Sequence, residues 1–570
     1  MKFLIMKNSR TTSIFLLCCL AAMPMLSCKK LDPTVYSVIR PEDFFQSQDQ
    51  IIAFTSSGYA NVAGYFGNIV LEVGVTSDEF SNPLRSNDGW GTNDDQMAHN
   101  FRANEGYSTG AWNSAFGGVA TCNRLIEFLQ NLQTDQTSAI AELRALRAFY
   151  LWGALDLFGN IPLELRFEKA DPAPSQLEPA EAFQIIEKEL LESLPYLASG
   201  KSQATYAKMN KATANMILAE MYINAQRFGV SAKWTDAAAV TDSIINSGDY
   251  SLSPGYFSNF FIKNESSPEN IFVIPFERNR IDNNFEHSTL HQSADKTFGL
   301  AAQPWGGYTI KSDFYNSFDS SDNRRGMFIV GQQYTKDAAP QWDAVVGFKY
   351  SNPQSQFKLY NWSEDYNVLS NTERQFWNLP TLAPGQTYKD LSPADQEKAG
   401  SIVIDPNAVP IPRTISGRSE DMIKYRDEAR MGKFEIEVGT NLGTGSNNDF
   451  PIFRYAEALL IRTEALWRLD PGNAEALNLV NQIRDRVHLD PLNQLTEDAL
   501  YHELKHELAL EGKSRPILIR FGHWEDEWNW KYIDPSKPGD PYFRATYKRF
   551  FPIPESALNT NKNLKQNTGY

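Results

Sequence analysis

Three groupings of residues in this chain have types and spacings that could do chemistry. The first is His502-Glu503-Leu504-Lys505-His506, which reads as H-E-x-x-H. On a helix the two imidazoles of that pattern lie one turn apart, where they can hold zinc while the Glu activates a metal-bound water. The helical wheel argues against that use here. Leu500, Leu504 and Leu508 share an apolar face, and His502 and His506 fall roughly 160–200° from it, on the solvent side. The longer H-E-x-x-H-x-x-G-x-x-H pattern fails because position 509 is Ala and position 512 is Gly, leaving Glu525 or Glu527 as a third ligand. The expectation is a solvated helix face, with a zinc hydrolase as a distant alternative and no metal, cofactor or catalytic residue assigned. There is no G-x-S-x-G elbow and no Walker loop, and paired carboxylates are too common in so acidic a chain to assign a glycosidase role.

The second grouping is a pair of polar loops that each carry an isolated aromatic. Sugar rings stack their C–H faces on Trp or Tyr, and their hydroxyls need Asn, Asp, Gln or Arg partners. Arg85-Ser86-Asn87-Asp88-Gly89-Trp90 sets one Trp among such polar groups. Gln303-Pro304-Trp305-Gly306-Gly307-Tyr308 offers glycines that allow a ligand close to the backbone. Trp90, Trp305, Tyr308, Arg85, Asn87 and Asp88 are therefore the candidate ligand contacts. The alternative for each Trp is that it pins its loop to the core. Trp342 and Trp377 are weaker candidates, whereas Trp152 and Trp467 lie on helical stripes and read as core. Asp313-Phe314-Tyr315 through Asp319 and Asp322-Asn323-Arg324-Arg325 read as helix and ion pairing.

The third is Met25-Leu26-Ser27-Cys28. Lys2, Lys7 and Arg10 precede an apolar run from Ile14 to Met25, the pattern of an export signal. A Ser-Cys pair directly after so short a run resembles a bacterial lipobox, in which the Cys is acylated and becomes the mature N-terminus. No later stretch reaches the roughly 18 uninterrupted apolar residues of a membrane span. Cys18 and Cys19 leave with the signal and Cys28 takes lipid, so Cys122 remains alone, on a helical stripe with Leu125, Ile126 and Leu129, as an apolar filler.

These groups need a scaffold, and the stretch from Asn448 to Leu489 shows its kind. Asn448-Asp449-Phe450-Pro451 reads as a turn feeding a helix from Arg454 to Trp467, with Ala456, Leu459, Leu460, Thr463 and Leu466 at helical period. Asp470-Pro471-Gly472-Asn473 breaks it, and Asn473 can cap a second helix from Ala474 to Val487. Two amphipathic helices on a tight turn make a tetratricopeptide-like (TPR-like) hairpin that cannot bury its stripes alone. Further helices are expected at Phe44–Tyr59, Ala111–Gln130, Ser138–Phe158, Pro179–Tyr196, Lys211–Phe228 and Thr235–Ser247. The fold class is thus mainly α: TPR-like helical hairpins form a scaffold, and a loop-rich ligand-binding region packs on it. The division is a signal over 1–27, a lipidated Cys and tether over 28–43, and a helical region over 44–250 with a ligand loop at 72–107. A loop-rich substrate-facing region over 251–447 and a C-terminal hairpin and tail over 448–570 complete it.

Several segments, in order from Leu26 to Tyr570, are similar to the SusD/RagB family of surface lipoproteins. They are Leu26-Ser27-Cys28; Ala141 to Tyr150 with Leu157-Phe158-Gly159-Asn160-Ile161-Pro162; Asn448 to Trp467; Asn481-Gln482-Ile483-Arg484-Asp485-Arg486; Glu503 to Gly512; Phe551-Pro552-Ile553-Pro554; and Asn563 to Tyr570. The resemblance implies a non-enzymatic, lipid-anchored outer-membrane protein facing the cell exterior. It would capture oligosaccharide or polysaccharide, in some members peptide, for a SusC-like TonB-dependent outer-membrane transporter. A TPR-type scaffold or peptide-binding member without sugar affinity is the alternative. The family often has two Arg and an Asp after the Glu-Gly pair, where this chain has Lys513-Ser514-Arg515-Pro516-Ile517, so a local ion-pair network there is in question. Lys29-Lys30 likewise replaces the acidic residues that often follow the lipidated Cys of surface-displayed members.

Composition is that of a globular chain: 42 % hydrophobic and 12 % aromatic residues over 570, with a formal charge of −15. Removing the three basic residues of the signal takes the mature charge to −18, which argues against nucleic acid or a polyanionic surface as partner. With no other apolar span to hold it, Cys28→Ala should leave the protein unacylated and outside the membrane fraction. Fractionation and a fatty-acid label check this, and wild-type membrane retention of the variant would refute it.

Overall fold

The computed structural model describes residues 47–82, 94–97, 99–281, 283, 285–291, 294–332, 340–343, 347–350, 371, 374, 380–400, 403–404, 411–415, 418–422, 429–441, 443–526 and 545–570. The chain divides into two units, Met1–Ala53 and Phe54–Tyr570, and the elements below belong to the second. In chain order they are β1 (Phe80–Ser81), α1 (Gly106–Gln130), α2 (Thr137–Phe158), α3 (Pro179–Ser193), α4 (Lys211–Ile223), α5 (Trp234–Ile245), β2 (Asn270–Ile274) and α6 (Phe285–Thr289). Then come β3 (Thr309–Ile310), β4 (Phe328–Ile329), β5 (Arg430–Met431), β6 (Phe450–Arg454), α7 (Tyr455–Leu469), α8 (Ala474–Arg486), α9 (Glu497–Glu507) and α10 (Ser514–Phe521).

The fold is mainly α, and its long helices pack on sequence neighbours: α1 on α2, α2 on α3, α4 on α5, α7 on α8 and α9 on α10, with α5 crossing to α7. Local signals explain the ends. Gly159 stops α2 at φ +67°, and a Cβ there would meet the Phe550 ring at 3.1 Å. Asn210 caps α4 by accepting from Thr213 N at 2.9 Å, and Asn473 caps α8 by accepting from Ala476 N at 3.0 Å. In α2 the run from Ala145 to Trp152 is buried on every side, which makes it the central helix. Cys122 is fully buried and free, and burial pushes its thiol up to about 12, which leaves it unreactive. The leucine face of α9, Leu500, Leu504 and Leu508, packs with Leu459, Leu460, Val480 and Ile483 in the C-terminal core. Trp467 is half-buried against this core and donates its indole N–H to Leu495 O at 3.0 Å.

Two expectations change. The stretch ahead of α7 is no turn: Phe450–Arg454 is the buried strand β6, antiparallel to β2. Pro451 is compatible with it because in a two-stranded ribbon one edge makes no ladder bonds. The segment read as loop from Glu72 is helical through Thr76, and β1 follows it.

Arg454, where β6 meets α7, is the centre of a buried ionic knot. Its guanidinium donates to Glu511 at 2.6 and 2.7 Å and to Glu507 at 3.2 Å, and it also pairs with Glu269. Arg486 bridges Glu269 at 2.8 Å and pairs with Glu507. Arg324, from the middle region, holds Asp322 at 2.8 Å, Glu503 at 2.6 Å and Glu507 at 3.3 Å. Lys433 reaches Glu511 at 2.6 Å, and Arg484 reaches Glu503 at 3.1 Å. Burial opposes ionisation of Glu507, yet Arg486, Arg454 and Arg324 outweigh it and hold the carboxyl at about 2.

The ion pairing placed in question after Gly512 is also present, built from other residues. Lys513 sits 2.6 Å from Glu457 and 3.7 Å from Glu220. Arg515 donates to Asp156 at 2.9 Å, and Arg227 pairs with the same carboxylate. Because a buried pair broken on one side leaves an uncompensated charge, Arg454→Met should cost about 3–5 kcal/mol. Urea denaturation would measure it, and an unchanged midpoint would show that the knot is not what holds these segments together.

Candidate functional site

The H-E-x-x-H pattern lies on α9, but its partners settle its use. Glu503, the residue that would activate water, is buried between Arg324 and Arg484. His506 is not on a solvent face. It is buried, stacked on Phe318 with ring centroids 3.9 Å apart, and 3.0 Å from Ser317 Oγ. Burial, with Arg324 and His502 adding repulsion, holds its pKa well below the ordinary histidine range. Only His502 stays open, 3.5 Å from Asp498. Among the described residues no group of three or more His, Cys, Asp or Glu is arranged to hold a metal ion. The face opposite the leucines is polar, as the wheel predicted, yet at His506 it is covered by Ser317 and Phe318 of the middle region rather than by water.

The second loop of aromatics is held from several directions. Trp305 N–H donates to His287 O at 2.6 Å and Tyr308 N–H to Ser288 O at 2.9 Å, so α6 carries one side of the loop. Arg430, fully buried on β5, donates its Nη1 to Gly306 O at 3.0 Å and Tyr308 O at 3.4 Å. Gly306 takes φ +71°, the left-handed region that a side chain resists. Pro304, Gly306 and Gly307 are buried, while the Trp305 indole stands out at 38 % exposure. A partly exposed indole on a buried, hydrogen-bonded loop presents a flat apolar face on which a ring could stack.

Tyr308 does not share that surface. It is 4 % exposed, meets Phe80 edge-on at 6.5 Å, and burial pushes its hydroxyl above the ordinary tyrosine range, with the Glu72 charge adding. It anchors the loop rather than facing solvent. Cys28, Arg85, Asn87, Asp88 and Trp90 lie outside the described residues, as does Trp377. What is described is the root of their loop. β1 pairs with β3 (Phe80 opposite Ile310, Ser81 opposite Thr309), and Ser81 and Thr309 share a 2.7 Å hydroxyl hydrogen bond. Asn82 N donates to Met97 Sδ at 3.2 Å, so the points at 82 and 97 where the chain leaves and returns are in contact. Lys505 on α9 holds Asp78 at 2.5 Å and Glu79 at 3.2 Å, tying that root to the scaffold. Both aromatic loops thus spring from one small sheet. Trp342 belongs to the strand Pro340–Asp343, opposite Phe348.

A model of the SusD family matches residues 240–570. The chain belongs to the SusD family. Among SusD-family relatives, the starch-binding protein SusD of Bacteroides thetaiotaomicron is 25 % identical over 450 residues, 75 % of this chain and 72 % of that one. A SusD superfamily structure from Parabacteroides distasonis superposes with a TM-score of 0.66 at 19 % identity, covering 92 % of this chain and 99 % of that one. Surface glycan-binding protein A from Bacteroides thetaiotaomicron, in complex with laminarihexaose, gives 0.63 at 18 % identity, with 91 % and 99 % covered. At these identities the structures share the SusD-family fold, which matches the mainly α scaffold expected above.

The residues that sequence reading missed are Arg430 and Glu286. Arg430 lies 124 positions from the carbonyl it holds, so no local pattern points to it. Glu286, on α6, accepts from Glu437 N at 3.1 Å and Thr440 Oγ1 at 3.0 Å. Burial pushes its carboxyl up to about 7 against those donors, and the Glu437 charge adds to the rise. A carboxyl raised in the folded state contributes stability that is complete below its ordinary value near 4.5 and is lost as pH climbs through about 7. Glu286→Gln stays neutral throughout, and Thr440 can turn to accept from the new amide. The variant should therefore gain on the wild type by up to roughly 3 kcal/mol between pH 4.5 and pH 8. Denaturation midpoints across that range test it, and a difference that does not change with pH would refute it.

Proposed function

We propose that this SusD-family chain is a lipid-anchored glycan-binding protein of the outer membrane, facing the cell exterior, which captures oligosaccharide or polysaccharide without cleaving it. In this reading Cys28 carries the lipid, and the bound glycan passes to a TonB-dependent outer-membrane transporter of SusC-like type. The observation that carries it is the Trp305 indole, exposed at the tip of a loop whose backbone is buried and hydrogen-bonded. Such a surface offers a flat apolar face to a sugar ring and keeps its own shape when the ring leaves. Similarity to a protein named for starch binding, and to one crystallised with laminarihexaose, supports glycan over peptide as the ligand class. The burial of Glu503 between two arginines supports a binding role over hydrolysis. No helix among the described residues is long and apolar enough to cross a membrane, which fits attachment through lipid.

Trp90, with Arg85, Asn87 and Asp88, belongs to the same proposed face. Support comes from the shared root, since Ser81 is paired to Thr309, four positions after Trp305. The polar groups of that loop would meet sugar hydroxyls beside the stacked ring.

Calorimetric titration of the soluble mature chain with laminarihexaose and with maltoheptaose tests the reading. A stacked ring contributes roughly 0.5–1.5 kcal/mol beyond its burial, so Trp305→Ala should weaken binding several-fold with the melting temperature unchanged. The Trp90→Ala, Trp305→Ala pair should nearly abolish it. Wild-type affinity in the single variant would remove this face from the site. Binding to extended peptides but to neither glycan would move the protein to the peptide-binding branch.

A further inference from the structure

We infer that Arg430 is a positioning residue for the glycan platform, acting through the backbone of the Trp305 loop and never touching the ligand. The inference rests on Trp305 being the stacking residue. It starts from an energetic oddity: a guanidinium with no exposed surface spends a donor on main-chain carbonyls of a loop far away in sequence. Burying a charge is costly unless its hydrogen bonds are made, so the carbonyls of Gly306 and Tyr308 are bound to the side chain that needs them.

The geometry gives that coupling a direction. β5 begins at Arg430 and is paired through Met431 and Arg430 to β4. The residue before it, Ala429, accepts from Ile310 N at 2.9 Å, which joins β5 to β3 and, through β3, to β1. Arg430 therefore enters beneath the loop from a strand that is itself stitched to the loop's own C-terminal end. Above, Trp305 N–H and Tyr308 N–H are taken by α6 at 2.6 and 2.9 Å. The loop's donors face one element and its acceptors face another, and the left-handed turn at Gly306 lies between them. The backbone is clamped on both sides, and the Trp305 indole projects from it at 38 % exposure.

Stacking on a clamped indole loses little conformational freedom on binding, and that saving is the contribution assigned to Arg430. Lysine keeps the charge, but its single ammonium does not present the forked donors of a guanidinium.

The test combines ligand-free exchange with a double-mutant cycle. In the wild-type mature chain, hydrogen exchange at the Trp305 and Tyr308 amides should be strongly slowed. In Arg430→Lys it should speed up about tenfold or more, the loss of one hydrogen bond to a charged group. Titration with laminarihexaose and maltoheptaose then compares wild type, Arg430→Lys, Trp305→Ala and the double variant. Arg430→Lys should weaken binding several-fold when Trp305 is present and have no further effect when it is Ala. An equal loss in both backgrounds overturns the positioning role and leaves the platform standing. Wild-type affinity in Trp305→Ala overturns the platform itself, and this inference with it. If Arg430→Lys does not fold, the wild-type exchange still decides: Trp305 and Tyr308 amides exchanging like an unstructured peptide would overturn the clamp.

Discussion

Glu507 and the guanidiniums around it are what the rest of the molecule depends on. Removing so many charges from water is expensive, and the expense is recovered only when each meets its partners in good geometry. Among the described residues the knot joins Arg454 at the β6–α7 junction, Arg484 and Arg486 on α8, Glu503 and Glu507 on α9, and Glu269 just before β2. Asp322, Arg324 and Lys433 bring the middle region into it. A shift of one turn along α9 would separate these pairs and leave several buried ions unmatched. The knot therefore acts less as glue than as a register, fixing where the loop-bearing middle region sits on the helices.

The same logic runs outward to the surface. Lys505, on α9 between the two knot carboxylates, takes Asp78 and Glu79. That fixes β1, β1 fixes β3, and β3 meets Ala429 beside Arg430. Each step is a pairing of backbone or of charge, so the Trp305 loop is connected to the core by rigid links rather than by a tether. This division suits the binding role proposed above, because loops can change their chemistry while the helices that carry them stay constant. In that proposed role a sugar ring would offer little apolar area, so affinity would depend on how much order the loop already has before binding.

Local reading recovered what local physics decides. The helical stripes, the Asn473 cap, the stop at Gly159 and the burial of Cys122 follow from residues within a few positions of one another. The exposure of Trp305 has a similar reason: an aromatic beside glycines has no helical or strand pattern to absorb it. Its neighbour Tyr308 was not legible, because the same composition describes an anchor and a platform. What separates them is which side meets Phe80.

The sequence by itself determined the periodic helices, the export and lipidation signal as an expectation, and the kinds of residue available for binding. Tertiary structure alone decided their roles. Phe450 to Arg454 became a strand because Asn270–Ile274, distant in sequence, needed a partner. His506 lies opposite the leucines of its helix, as its position on the wheel requires, yet Phe318 covers it. Lys513 and Arg515 restore an ion-pair network that their identities alone seemed to break, since Glu457, Glu220 and Asp156 come from other helices. Periodicity is set by neighbours three and four residues away, and it tells which face is polar. Whether that face meets water, a charge or another segment depends on surfaces that come together only when the whole chain packs.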